Sequence, residues 1–128
     1  MSARPIRDAE TTVAQLRRIV DAFVAERDWG QFHTPKNLAM SLAIEAAELM
    51  EHFQWLTPEQ SWQAAADAEK KRAIGEELSD VFGYLLALAG ALELDLASAL
   101  VAKMAKNAEK YPIERYRGLF GPADPNRP

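Results

Sequence analysis

Apolar residues recur at helical spacing along almost the whole of this chain, and almost no stretch alternates with period two. That pattern predicts an all-α fold. The first predicted helix runs from near Thr11 to Arg27, where Val13, Leu16, Ile19, Val20, Phe23 and Val24 form one apolar stripe. Asp28, Trp29 and Gly30 break it. Thr34 reads as the cap of a second helix, with Pro35 at the first helical position, where its missing N–H costs nothing. This helix is expected to continue to about Trp55. A third runs from about Lys71 to Leu92. A fourth, capped by Asp95, reaches Lys110 before Pro112 ends it. Between the second and third, Thr57-Pro58-Glu59-Gln60 is another start signal. It opens a polar, Ala-rich segment to about Asp67, for which the pattern leaves helix and loop open. The tail from Gly118 to Pro128 holds two Gly and three Pro and reads as irregular.

The 128 residues fit one domain, expected over 1–112, with an irregular tail over 113–128. Helical layers this short often finish their burial by oligomerising. Val81 to Leu92 is apolar or Gly nearly all round, so it needs cover on more than one side, and Gly83 and Gly90 would allow close helix approach. The expected architecture is therefore a unit of four antiparallel helices that assembles into an oligomeric bundle.

Charge and composition exclude several classes of function. A formal net charge of −4 argues against a nucleic-acid polymer, because duplex binding relies on Lys and Arg neutralising many phosphates. It leaves room for one small nucleotide whose charge a metal carries. There is no cysteine, so a disulfide framework and a thiolate zinc site are excluded. Met1 to Glu10 has no apolar run of the signal-peptide kind. Val81 to Leu92 falls short of the roughly 18 residues a membrane span needs. The reading is a cytoplasmic chain with no membrane partner.

The informative irregularity is a set of carboxylates where a core should be. Leu38, Leu42, Leu49 and Phe53 share one arc of the second helix, and Glu45 falls at the edge of that arc with Glu48 beside it. On the third helix Ile74, Leu78, Val81, Leu85, Leu88 and Leu92 make the stripe. Glu77 borders it, and Asp80 follows at i+3. Two helices thus each present an acidic pair next to apolar surface. A partly buried carboxylate without a partner costs several kcal/mol. The nearest basic residues in sequence, Lys36 and Lys103, are too few for four acids. A hard divalent cation resolves the difficulty: Mg²⁺ prefers oxygen ligands and commonly bridges carboxylates to substrate phosphates. One E-x-x-E alone is ordinary solvated surface; two pairs on separate core helices are less so.

Aromatic residues bracket the acids. Tyr84 projects beside Glu77 and Asp80, while Trp29 and Trp55 flank the second helix and His33 lies near its start. Such faces can stack on a nucleobase, although packing is the plainer explanation for the two Trp and the Tyr. Lys103, Asn107 and Lys110 recur at i, i+4 and i+7 on the fourth helix, followed by Tyr111. That stripe suits phosphate oxygens, and equally an ordinary solvated face.

These residues together resemble the MazG-like, all-α nucleotide pyrophosphohydrolases, and most closely the dCTP pyrophosphatase branch. The resemblance begins at Arg27-Asp28-Trp29-Gly30-Gln31-Phe32-His33 and Pro35-Lys36-Asn37-Leu38. It continues through Glu45-Ala46-Ala47-Glu48-Leu49, Phe53-Gln54-Trp55, Glu76-Glu77-Leu78-Ser79-Asp80-Val81 and Tyr84-Leu85. It closes at Lys103-Met104, Asn107 and Lys110-Tyr111-Pro112. It implies Mg²⁺ on Glu45, Glu48, Glu77 and Asp80, and a base and sugar pocket of Trp29, Trp55 and Tyr84. Lys103, Asn107, Lys110 and Tyr111 would contact the triphosphate, with His33, Lys36 and Asn37 near it. The implied reaction is Mg²⁺-dependent hydrolysis of a nucleoside triphosphate, dCTP or a modified dNTP, to monophosphate and pyrophosphate, with Glu48 and Glu45 as the catalytic carboxylates. The implied assembly is a homotetramer, or dimer of dimers. One position departs: cytosine-preferring members carry a His that aligns with Val20.

Three alternatives compete. A carboxylate-bridged di-iron bundle needs Glu-x-x-His, but Leu49 and Gly30 stand three residues before His52 and His33. A phosphoribosyl-ATP pyrophosphatase shares the acidic helices without the Phe53-Gln54-Trp55 segment. A helical oligomerisation module would bind a nucleotide or metal without turnover.

Overall fold

The computed structural model describes residues 6–121, and every regular element among them is helical. The long helices are α1 (Val13–Glu26), α2 (Pro35–Glu51), α4 (Ala68–Ala91) and α5 (Leu96–Lys110), with short helices α3 (Pro58–Ala64) and α6 (Ile113–Tyr116). The all-α expectation holds. No single helix among the described residues is long and apolar enough to cross a membrane.

Local chemistry sets these boundaries. Thr12 and Gln15 form a reciprocal capping box at α1, and Thr57 with Gln60 does the same at α3. The segment after Thr57 is therefore a short helix, ended by turns at Ala65 and Ala66. Asp67 accepts from the Lys70 backbone N–H at 2.9 Å, so α4 starts three residues before the expected Lys71. Its first turn is polar, so periodicity could not register it. Helix α2 ends at Glu51 rather than Trp55, because Phe53 and Gln54 both donate to the Met50 carbonyl and tighten the chain into turns. Ile113–Tyr116 is one helical turn inside the tail that was expected to be irregular; Pro112 precedes it and supplies the carbonyl that accepts from Arg115 and Tyr116. The tail reading beyond Gly121, and that of the first five residues, lies outside the described residues.

The chain falls into two compact units that divide between Leu94 and Asp95. In the first, α2 packs extensively along α4, and α1 lies against α4. Helix α4 ends in a Schellman turn: Leu94 N–H donates to the Ala89 carbonyl at 2.9 Å and Glu93 N–H to Gly90 at 3.1 Å. Glu93 takes a left-handed φ of 53° there. Arg17 of α1 donates to the Leu94 carbonyl at 3.0 Å, and its Cδ lies over Gly90, tying α1 to the end of α4.

The core of this unit is thin. Leu38, Ala64, Leu86 and Ala89 are its buried apolar residues among those described. The stripe expected on α4 is displaced: Leu86 and Ala89 are buried, whereas Leu78 is 51 % and Leu85 37 % exposed. The reason is that 81–92 is apolar on every side, so spacing alone could not choose the face that meets α2. Met40, Ile44 and Met50 on α2 and Phe82 on α4 are exposed as well.

The second unit is built on α5, whose Asp95 cap accepts from Ser98 N–H at 2.8 Å. Tyr111 and Tyr116 meet edge to face there, with ring centroids 5.2 Å apart.

Candidate active site

Packing α2 along α4 brings Glu45, Glu48 and Glu77 together. One carboxylate oxygen from each lies within 4.8 Å of the others. Glu45 and Glu77 are half-buried and Glu48 is exposed. Glu45 Oε2 and Glu77 Oε2 are both shut off from solvent, and neither has a hydrogen-bond partner among the described residues. No Lys or Arg there pairs with the cluster; Arg72, for instance, pairs with Glu76 at 2.7 Å, where both side chains are exposed. Burial pushes the Glu45 carboxyl up to about 6, aided by its hydrogen bond with Glu48 and by the charges of Glu48, Asp80 and Glu77. Glutamates crowded this closely in low dielectric want a cation, and an all-oxygen donor set is the chemistry of a hard divalent ion. The residues present fit such an ion.

Asp80 is not one of the three converging carboxylates, although its charge acts on Glu45. It lines a cavity of about 320 Å³ between α1 and α4. One wall of that cavity is bulky and apolar: Ile19, Val20, Phe23 and Val24 of α1. The facing wall on α4 is Ser79, Asp80, Gly83 and Tyr84. Trp29 and His33 close one end and also line a second cavity of about 290 Å³, with Phe32, Asn37, Ser41 and Tyr84.

The break between α1 and α2 positions these end groups. Asp28 turns the chain with a left-handed φ of 52° into a short 3₁₀ turn, Trp29–Phe32. Gln31 Nε2 bonds back to the Asp28 carbonyl at 3.0 Å, and Asn37 Nδ2 donates to the Phe32 carbonyl at 2.9 Å. Trp29 is thereby held edge-on to Phe23, centroids 5.7 Å apart, while Arg27 covers the Phe23 ring at 3.7 Å.

Of the residues expected from sequence, the structure gathers Glu45, Glu48 and Glu77 at one place and Asp80, Trp29, His33 and Tyr84 around a cavity next to it, with Asn37 beside the second. Lys36 and Trp55 line neither cavity, and Trp55 is 86 % exposed. Lys103, Asn107, Lys110 and Tyr111 belong to the second unit; the Lys110 ammonium lies 5.3 Å from the Tyr111 ring centre. Sequence reading missed Phe23, Val24, Ser79 and Gly83 as lining. The first two are indistinguishable from core positions. The close helix approach expected at Gly83 is absent among the described residues: no described atom lies within 4 Å of where its Cβ would be.

The MazG-like family model matches residues 40–119. The chain belongs to the MazG-like family. Over 118 residues it is 43 % identical to dCTP pyrophosphatase 1 of Mus musculus, an alignment covering 91 % of this chain and 69 % of that protein. It is 44 % identical over 108 residues to dCTP pyrophosphatase 1 of Homo sapiens, covering 84 % and 64 %. A crystal structure of a pyrophosphatase from Archaeoglobus fulgidus superposes with a TM-score of 0.75 at 38 % identity, covering 84 % of this chain and 99 % of that one. The resemblance seen in the residues, to the dCTP pyrophosphatase branch of this family, is borne out.

Proposed function

We propose that this chain hydrolyses a deoxynucleoside triphosphate, dCTP or a modified dNTP, to the monophosphate and pyrophosphate, and so clears such nucleotides from the cytoplasmic pool. The observation that carries the reading is the convergence of Glu45, Glu48 and Glu77 across α2 and α4, with one oxygen each of Glu45 and Glu77 excluded from solvent and without a hydrogen-bond partner among the described residues. The fold and the named relatives support the same chemistry.

Glu45, Glu48, Glu77 and Asp80 are the residues that would hold Mg²⁺. That ion, when bound, offsets the triphosphate charge and makes a coordinated water more acidic. We assign Glu48 to take the proton of the attacking water and Glu45 to the buried side, an assignment supported by Glu48 being the exposed member of the cluster. Water oxygen bonds to the α-phosphorus, the α–β bridging bond breaks, and pyrophosphate leaves with the bridging oxygen. Trp29 supplies a face for the base, and His33 and Tyr84 polar groups at its edge. Trp55, Lys36 and Asn37, and the α5 residues Lys103, Asn107, Lys110 and Tyr111, are assigned to substrate on the resemblance alone. The apolar side chains that stay exposed on α2 and α4 support association of copies, and the resemblance makes that assembly a homotetramer.

The test is pyrophosphate release from a panel of dNTPs and NTPs, with Mg²⁺ or with EDTA, for the wild type and Glu45→Ala. Release that requires Mg²⁺ and disappears in the variant is expected. Release that survives EDTA removes the Mg²⁺-dependent reading, and no release from any triphosphate favours a binding module.

A further inference from the structure

We infer that Gly83 sets the size of base this chain accepts, and that its missing side chain opens the cavity to a base as large as a purine. The inference rests on the cavity between α1 and α4 being the base pocket.

Gly83 lies in the middle of a 24-residue helix, where glycine is the poorest residue apart from proline. A helical glycine is usually kept because a neighbour leaves no room for Cβ. At Gly90 on the same helix a Cβ would sit in ordinary van der Waals contact with Arg17 Cδ, at 3.6 Å. At Gly83 a Cβ meets no described atom within 4 Å, so crowding by a neighbour does not account for the glycine. Gly75 is similarly uncrowded but borders neither cavity. The space over Gly83 is the cavity of about 320 Å³ itself.

The two walls of that cavity are unequal. Ile19, Val20, Phe23 and Val24 of α1 project bulk toward it, and the room comes from the α4 side, where Ser79 and Gly83 stand one turn apart. Ser79 gives its hydroxyl proton to the Gly75 carbonyl at 2.7 Å, so it offers no donor to a ligand. The middle of the pocket thus selects by shape. A purely apolar, roomy wall discriminates bases weakly, whereas one added side chain in it discriminates by size.

The experiment compares kcat/KM for dCTP and dGTP in the wild type, Gly83→Ala, Gly83→Leu and Trp29→Ala, with melting temperature and gel-filtration size measured for each. The wild type is expected to turn over both nucleotides within about tenfold of each other. Gly83→Leu should lower the dGTP/dCTP ratio by roughly tenfold or more, and Gly83→Ala by less. Gly83→Ala should also melt about 3 °C higher, since it removes an unfavourable helix residue that packing does not require. A ratio unchanged in both Gly83 variants, or a wild type inert toward dGTP, overturns the inference. If Trp29→Ala still weakens both nucleotides in that case, the pocket reading stands without it. If Trp29→Ala changes neither, the pocket reading falls with it.

Discussion

The acid cluster and the cavity next to it are built on the same helix pair or its neighbour, yet they differ in what they lack. Glu45, Glu48 and Glu77 converge with two buried oxygens unpartnered, so this end is electrostatically unfinished without a cation. The cavity end, with Trp29 against Phe23 and four α1 side chains along one wall, is unfinished only in volume. The first wants charge, and the second wants shape. On the proposed reading, that division would let phosphate chemistry stay fixed while base preference varies with a few apolar positions.

The largest expected effect comes from breaking the charged end. Glu77→Ala should lower kcat for pyrophosphate release by roughly a hundredfold or more, because on the proposed reading it removes the half-buried α4 ligand of the cation. The same assay with Asp80→Asn should show a smaller loss, since Asp80 stands outside the three-carboxylate cluster. At the shape end, Trp29→Ala should raise KM by roughly tenfold with kcat little changed, as expected for losing one stacking face worth about 1–3 kcal/mol. Equal kcat losses for Glu77→Ala and Trp29→Ala would erase the distinction between the two ends.

The smallest effect concerns metal-free stability. The Glu45 carboxyl is pushed up to about 6 from an ordinary 4.5, chiefly by burial and then by its acidic neighbours. The folded chain therefore binds a proton more tightly than the unfolded chain, and stability is lost as pH rises from about 4.5 through about 6. Thermal melts in EDTA should show a lower melting temperature at pH 7 than at pH 5.5. Glu45→Gln should flatten that slope. A wild-type and variant slope that coincide would mean Glu45 is not strained by its surroundings.

How much of this was legible in the sequence follows the same division. The acids were legible because they violate a pattern: Glu45 and Glu77 sit where the repeat leads to apolar residues. The caps at Thr34, Thr57 and Asp95 were legible because their side chains act within three residues. The apolar half of the site was not. Phe23 and Val24 obey the helical stripe perfectly, so spacing could not separate a cavity wall from a core. On α4 the continuous apolar run hid which face is buried, and Leu86 and Ala89 rather than Leu85 and Leu78 turned inward. Gly83 announced itself only once the space above it was seen to be empty of protein. Trp55 shows the converse: its place in the motif led to a pocket role, and in the single chain it stands in solvent.

The central claim is that the carboxylates of α2 and α4 exist to hold a divalent cation. Titrating Mn²⁺ into the metal-free wild type and into a Glu45→Gln/Glu77→Gln double variant, with free Mn²⁺ followed by electron paramagnetic resonance, tests it directly. A cation site requires saturable binding in the wild type that the double variant loses. Equal binding by both proteins, or none by the wild type, would contradict it.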